Sequence, residues 1–511
     1  MNKHFFQVAP FLLIVLMFAI VLQSCSAGGG ETGTGQAPDT SVSVGVITGF
    51  GSVYVNGVKY ETSSSTAVSV DGNTQALESH LAVGMLVTVS GNVNSDGVSG
   101  AASSITFEDN VEGPVLLNLD GTDLVVSNNT LNVMGQNVIF DKETVFQANS
   151  QFPLITLIEE IQLNHVVEVS GYSNGKGDIF ATRIELKRGD YVAGEDIEIK
   201  GIVSNLNSSS FTFSIGNMTI NYEGTIWEDF ESPIQNDDFV AVKSQQAPAG
   251  NILVASSIEH KEKTRTSVST QLDKEIEFEG VVSFIDAANS TFKLNTETVL
   301  VDGSTVFDDN RFFSDLKDKS KVKIHAHLNE ASVIVADKIE IKQKTDTYFE
   351  GKVKAINLTD RSIQILDQTI FLNNSTRLKD DSSSGEELEY DRQYFQLSDL
   401  KVEDSIQVSA YLDSTGALVA TRLERENEKT ESDVSGIVGI KRELEGLVRE
   451  YSIDQAFIVV SGVRIDIETA VSTGKVSGIL AVGVNVEVHG QETADGWYAT
   501  EIDVKTEDID D

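Results

Sequence analysis

Five stretches decide the reading of this chain: FEGVVSFID (Phe278–Asp286), TFKLNTETVLVDG (Thr291–Gly303), STVF (Ser304–Phe307), KVKIHAHL (Lys321–Leu328) and VIVADKIEIK (Val333–Lys342). In each, apolar and polar residues alternate, so successive side chains fall on opposite faces and one face is buried. That is a strand signature, and no segment beyond the N-terminal apolar run carries a long helical period.

The pattern recurs both upstream and downstream. Six closing pairs read Ala-x-x-Ile or Ala-x-x-Leu: Ala102/Ile105, Ala181/Ile184, Ala255/Ile258, Ala336/Ile339, Ala420/Leu423 and Ala499/Ile502. Before them stand V-x-V strands (Val87/Val89, Val167/Val169, Val240/Val242, Val322/Ile324, Ile406/Val408, Val486/Val488), each led by a Leu or Ile six residues earlier. Further upstream come Thr-x-apolar pairs: Thr66/Val68, Thr144/Phe146, Thr225/Trp227, Thr305/Phe307, Thr376/Leu378 and Thr469/Val471. A glycine opens each copy: Gly45, Gly113, Gly201, Gly280, Gly351, Gly446. Turn stretches such as NSDG (Asn94–Gly97) and LDSTG (Leu412–Gly416) separate the last two strands. Short strands in a unit of this length can close as a small barrel and so remove exposed edges. The expected fold is all-β, with about six tandem small OB-like barrels; an elongated sandwich is the alternative. The units are placed at 43–111, 112–188, 197–262, 276–343, 347–426 and 441–507. Polar, charged joints at Lys261–Glu275 and Arg425–Val434 are expected to separate independently folding modules.

The start of the chain has a different character. Lys3 precedes twelve apolar residues, FLLIVLMFAIVL (Phe11–Leu22), and then LQSC ends at Cys25, the only cysteine. A positive start, a short apolar core and a small-residue exit make a secretory signal, while a spanning helix needs ~20 apolar residues. LQSC resembles the lipobox of bacterial lipoproteins, which implies that residues 1–24 are removed and that Cys25 carries acyl chains; two or more chains make a lasting anchor. Residues 25–42, rich in Gly, Ser and Thr, suit a flexible tether. Ser26 in place of Asp favours the outer membrane on that resemblance. An ordinary cleaved signal and an uncleaved membrane helix are the alternatives.

The glycine-led opening, L-x-x-G-x-x-V-x-V-x-G (Leu81–Gly91) and A-T-x-I-E (Ala181–Glu185) resemble bacterial repeats known as domain of unknown function 5666. The resemblance runs from about Val44 to Thr506. The third unit departs from it, with Asp237 at the turn glycine and Lys243-Ser244 after its strand. The resemblance implies an exported, repetitive envelope protein and supplies no catalytic residues.

Charge narrows the partners. With 78 acidic residues against 38 basic ones, net −40, the chain repels phosphate backbones and anionic headgroups. Nucleic acid is therefore not an expected partner, and membrane association falls to the acyl chains on Cys25. No HExxH, GxSxG or phosphate-loop motif is present, and repeated cores do not make a single distinctive catalytic constellation. The expectation is a non-catalytic, lipid-anchored envelope scaffold or binding protein without a cofactor. The alternatives are capture of cations or glycans by variable loops, or an unrecognised envelope hydrolase.

Local candidates are few. His325 and His327 alternate on one strand face and could grip a metal, although no third ligand is identifiable. Asn92-x-Asn94-x-Asp96-Gly97 resembles half a calcium loop, with Ser103 where a glutamate is needed. Glu185, Glu259, Glu340, Glu424 and Asp503 follow the closing Ile or Leu and could form an acidic rail, or could simply guard a terminal strand. Trp227 fills a core slot, and Trp497 with Tyr498 could offer an aromatic contact. The fifth unit carries the insert DDSSSGEELEYDRQYF (Asp380–Phe395), where Glu386, Glu387, Tyr390 and Tyr394 form a possible contact loop.

Overall fold

Alternation dictates strands, and in the first unit the strands close on themselves. The opening strand Ser41–Gly49 pairs antiparallel with Val53–Val55, which pairs with Val58–Glu61. Val58–Glu61 lies parallel to the closing strand Ser99–Phe107. The closing strand pairs with the fourth strand Leu86–Val93, which returns to the opening strand. The ring order is thus opening, second, third, closing, fourth. It recurs with opening strands at Val111–Leu116, Glu275–Asp286 and Ile440–Ser452. In the third and fifth units the opening strand is divided in two, as Ile197–Ile202 with Ser204–Asn207 and Thr347–Lys352 with Ala355–Asn357. Closed rings replace the sandwich alternative.

The structure, a computed structural model, describes residues 41–505 apart from 121, 123, 150, 153–154, 156, 231–232, 262–274, 309–310, 343–344, 383–394, 414, 428–439 and 494–495. The signal, Cys25, nearly all of the tether, the centres of both joints and the loop Glu386–Tyr394 lie outside the described residues. Among the described residues no helix is long and apolar enough to cross a membrane.

The repeated motifs have physical causes. A Cβ at an opening glycine would meet the second–third hairpin, 2.1 Å from Asn56 Oδ1 at Gly45 and 2.1 Å from Ser461 Oγ at Gly446, so glycine lets the hairpin fold across the strand without displacing those side chains. The threonine of Thr-x-apolar donates its hydroxyl to the carbonyl of the closing alanine. This bond joins Thr66 to Ala102 (2.9 Å), Thr144 to Ala181 (2.8 Å), Thr225 to Ala255 (2.9 Å), Thr305 to Ala336 (2.7 Å) and Thr376 to Ala420 (2.8 Å). It clips a short side strand parallel to the closing strand, in the registers Val68↔Ile105, Phe146↔Ile184, Trp227↔Ile258, Phe307↔Ile339 and Leu378↔Leu423.

The sixth unit corrects the sequence assignment. Thr469 and Val471 lie in a short helix, Glu468–Ser472, and the side strand is Val476–Ser477, with Val476 opposite Ile502. Alanine and glutamate favour the helix, which Gly474 follows at φ +70°. Asp237, by contrast, departs only in identity. At φ +73° it keeps the left-handed turn that Gly84 makes at +91°, and Asn164 (+67°) and Glu403 (+75°) do the same.

The units are fused, contrary to the expectation of independent modules. Ser41–Val44 pairs parallel with Glu275–Phe278, joining the first unit to the fourth. Val111 and Glu112 pair with Ile199 and Glu198, joining the second to the third. Tyr348 and Phe349 pair with Glu445 and Leu444, joining the fifth to the sixth. One apolar core runs from Val111 to Ile258 through the second and third units, and another from Phe349 to Ile502 through the fifth and sixth. The described part of 39–511 is one compact unit.

Candidate functional site

Asp141–Phe146, the turn and side strand of the second unit, is where four units meet. Lys321 of the fourth unit reaches Asp141 Oδ2 at 3.1 Å and Glu143 Oε2 at 3.0 Å. From the fifth unit, Arg377 Nη1 donates to the Glu143 carbonyl at 2.6 Å, Lys379 Nζ to the Phe146 carbonyl at 2.5 Å and Arg422 Nη1 to the Lys142 carbonyl at 3.0 Å. From the sixth, Glu443 pairs with Lys142, and Glu487 lies 3.8 Å from it. Burial alone would raise the Glu143 carboxyl, but Lys321 and Arg377 beside it hold it down at about 2. Burial, with Arg422 and Arg183 nearby, draws Lys379 down to about 8 despite its contact with Asp381. Lys379 is also 2.8 Å from Glu424. A cavity of about 30 Å³ lies here, lined among others by Tyr172, Thr182, Lys321 and Arg377. Its size suits water-sized occupants.

A second charged seam joins the first three units. Lys200 Nζ lies 2.5 Å from Asp109, 3.5 Å from Glu198 and 3.8 Å from Asp71, and Lys187 lies 2.9 Å from Glu168. Burial and the neighbouring Asp109 push Asp71 up to about 7. Burial, reinforced by Glu168, likewise pushes Glu112 up to about 7 against the pull of Lys187. Asp109, Glu112 and Glu168 offer oxygens within 4.8 Å of one another, as do the ligand atoms of Glu443, Glu487 and His489. Lysines already occupy both clusters: Lys200 and Lys187 in the first, Lys142 and Lys505 in the second.

The candidates from the sequence are placed separately. His327 Nδ1 lies 2.9 Å from Asp337 in an exposed position. His325 lies 3.7 Å from both Glu275 and Glu277, so the two imidazoles take different acidic partners. Asp96 accepts from Ser99 Oγ at 2.6 Å and from the backbone of Val98 and Ser99, closing a hairpin. The acidic rail dissolves into local pairs: Glu185 with Arg183, Glu259 with Lys261, Glu340 with Lys342, Glu424 with Lys379, and Asp503 with Ser477. Trp497 is buried at 4% exposure in the last core, so it offers no surface contact, whereas Trp227, expected in the core, is 40% exposed.

Sequence reasoning missed the hub altogether. Its trace was there in Arg377 and Lys379, two cations flanking Leu378 on a short strand of a strongly acidic chain. Only the fold could bring Asp141–Phe146 to them.

Comparison with known proteins follows the repeat. No curated protein matches. A solved structure described as that of a multidomain protein with nucleic acid binding domains from Streptococcus pneumoniae matches at 8% identity over 45% of this chain and 72% of that one. Its TM-score of 0.10 carries no argument. A family model matches six times, over residues 44–106, 122–185, 200–259, 279–340, 350–424 and 445–503. These matches span most of the chain and coincide with the strand rings and their threonine clips: the chain belongs to the family described as Domain of unknown function (DUF5666).

Proposed function

We propose that this protein is a non-catalytic, lipid-anchored scaffold of the cell envelope, probing or holding a partner with surfaces of a rigid multi-barrel body. The observation that carries the reading is the hub. Residues that escape the repeat (Lys142, Lys321, Arg377, Lys379) form bonds between units. Divergence from the repeat has therefore gone into rigidity at the centre, which suits a body that presents fixed surfaces.

The ring order, with the third strand parallel to the closing one and a short helical turn such as Glu78–His80 before the fourth, supports OB-like barrels. The lone Cys25 behind Phe11–Leu22 supports an acyl anchor, and Ser26 supports the outer membrane. The test is labelled palmitate incorporation with membrane fractionation of the wild type and Cys25→Ser. The wild type should be labelled and sedimented, and the variant unlabelled and soluble. An unlabelled wild type, or a variant that still sediments, rejects the anchor.

A second reading, glycan capture, is favoured by one surface of the third unit.

A further inference from the structure

The third unit differs from its neighbours in its aromatic residues. At the turn before its second strand, the left-handed position is held by Asn129, Ser290, Arg361 and Ala456 in other units, and here by Phe211 at φ +53°. A bulky aromatic is disfavoured in that conformation, and strain retained at the surface points to use. Phe211 is 46% exposed. Trp227 sits in the side-strand slot that holds Val68 and Phe146 at 7% and 8% exposure, yet it is 40% exposed.

The rings form a continuous series. Phe211 meets Tyr222 edge-on at 5.8 Å, Tyr222 meets Trp227 at 5.5 Å, Trp227 meets Phe230 at 5.1 Å, and Phe230 meets His260 at 5.3 Å. Around the series stand hydrogen-bonding groups: Ser210 and Thr212 hydroxyls 2.9 Å apart beside Phe211, and Asn221 opposite Thr212.

We propose that this strip is a binding site for a neutral glycan chain. The C–H face of a pyranose is weakly positive and complements the negative π face of Phe211 and Trp227. Sugar hydroxyls both donate and accept, matching a rim of hydroxyl and amide groups. The net charge of −40 sets the class, because anionic polysaccharides and nucleic acids are repelled while a neutral glycan has no charge to oppose. The inference goes beyond the scaffold reading and does not depend on the anchor.

Only two tryptophans are present, and Trp497 is buried, so fluorescence changes on ligand addition report chiefly on Trp227. Full-length purified protein would be titrated with cellohexaose, chitohexaose and maltohexaose, and in parallel with heparin hexasaccharide and decaproline. A saturable shift with at least one neutral hexaose is expected, with affinity falling at least about ten-fold in Phe211→Asn. Asparagine accepts the left-handed turn, so that variant should unfold at the wild-type temperature or above. Trp227→Phe removes the fluorescent reporter, so it is read by isothermal titration calorimetry beside the wild type, and it should weaken binding while keeping an aromatic in the slot. No response to any neutral hexaose, undiminished affinity in Phe211→Asn, or a response confined to heparin or decaproline overturns the proposal. Release of Cys25→Ser from the membrane with glycan binding intact bears on the anchor alone, so the two readings fail separately.

Discussion

Single ionisable residues at the seams make stability depend on pH in opposite directions. Glu112 and Asp71 are pushed up to about 7 in the fold, mainly by burial, above ordinary values of 4.5 and 3.8. The folded state therefore takes up their protons first. Their cost is full above pH 7 and is relieved as pH falls towards 4.5. Glu143 is the reverse: held at about 2 against an ordinary 4.5, its contribution is present above pH 4.5 and is lost as pH falls through 2. Glu112→Gln should raise the unfolding free energy at pH 8 by on the order of 1–2 kcal/mol, from ~1.4 kcal/mol per pKa unit less the loss of its pair with Arg188. The gain should vanish near pH 4.5, and thermal melts across that range check it; a gain equal at both ends refutes the assignment. Lys379 is drawn down by burial to about 8 from an ordinary 10.5, so its cost is full below pH 8 and is relieved as pH rises towards 10.5; the wild type should gain stability relative to Lys379→Met over that range, measured by urea unfolding.

At the level of the element, the side strand is held by one repeated hydroxyl. Thr144 is 3% exposed and bonded to the Ala181 carbonyl, so Thr144→Val should cost about 1–3 kcal/mol by leaving that carbonyl unpaired. Thr469→Val should cost little, because Thr469 sits in the short helix and not in a clip. Equal losses in denaturant melts would show that the clip is not the cause. In the fifth unit, Leu400 and Val408 are 4% and 0% exposed, so Leu400→Asp or Val408→Asp should abolish folding there, since an unpaired buried charge costs several kcal/mol. The insert is separable only beyond Ser382. Asp381 contacts Lys379, and the Ser382 hydroxyl lies 2.6 Å from Asp380. Deleting Ser383 to Tyr390 should leave the melt unchanged, loop length being worth ~0.6 kcal/mol per doubling. A lowered midpoint would make the insert structural and end its candidacy as a contact loop.

For the whole molecule, shared cores set the unit of folding. Residues 110–261 enclose the core that runs from Val111 to Ile258, whereas 110–190 alone would expose Val111 where it meets Ile199. The longer fragment should fold and melt cooperatively; the shorter should aggregate or melt at markedly lower temperature, as circular dichroism would show. Equal stability would restore independent modules. The hub adds long-range order, since Asp141–Phe146 binds partners 178 to 301 residues away in sequence.

The strands, their closure and the repeat were legible in residues alone, because period-two alternation, opening glycines and clip threonines are local demands that each copy must meet by itself. A Cβ at Gly45 or Gly446 would displace the Asn56 or Ser461 side chain, and five threonines reach the equivalent carbonyl. Spacing misplaced the sixth clip, since a motif of two residues does not distinguish a helix from a strand. What only the tertiary structure decided is how the units join and which surfaces remain. Lys142, Lys321 and Arg377 are unremarkable surface cations in sequence, and they become partners across units, Arg377 buried, through contacts between distant segments that no local pattern encodes. Trp227 reads as core by position, and the tertiary structure leaves it 40% exposed, opposite Ile258 and edge-on to the rings of Tyr222 and Phe230, a placement set by contacts outside its own strand.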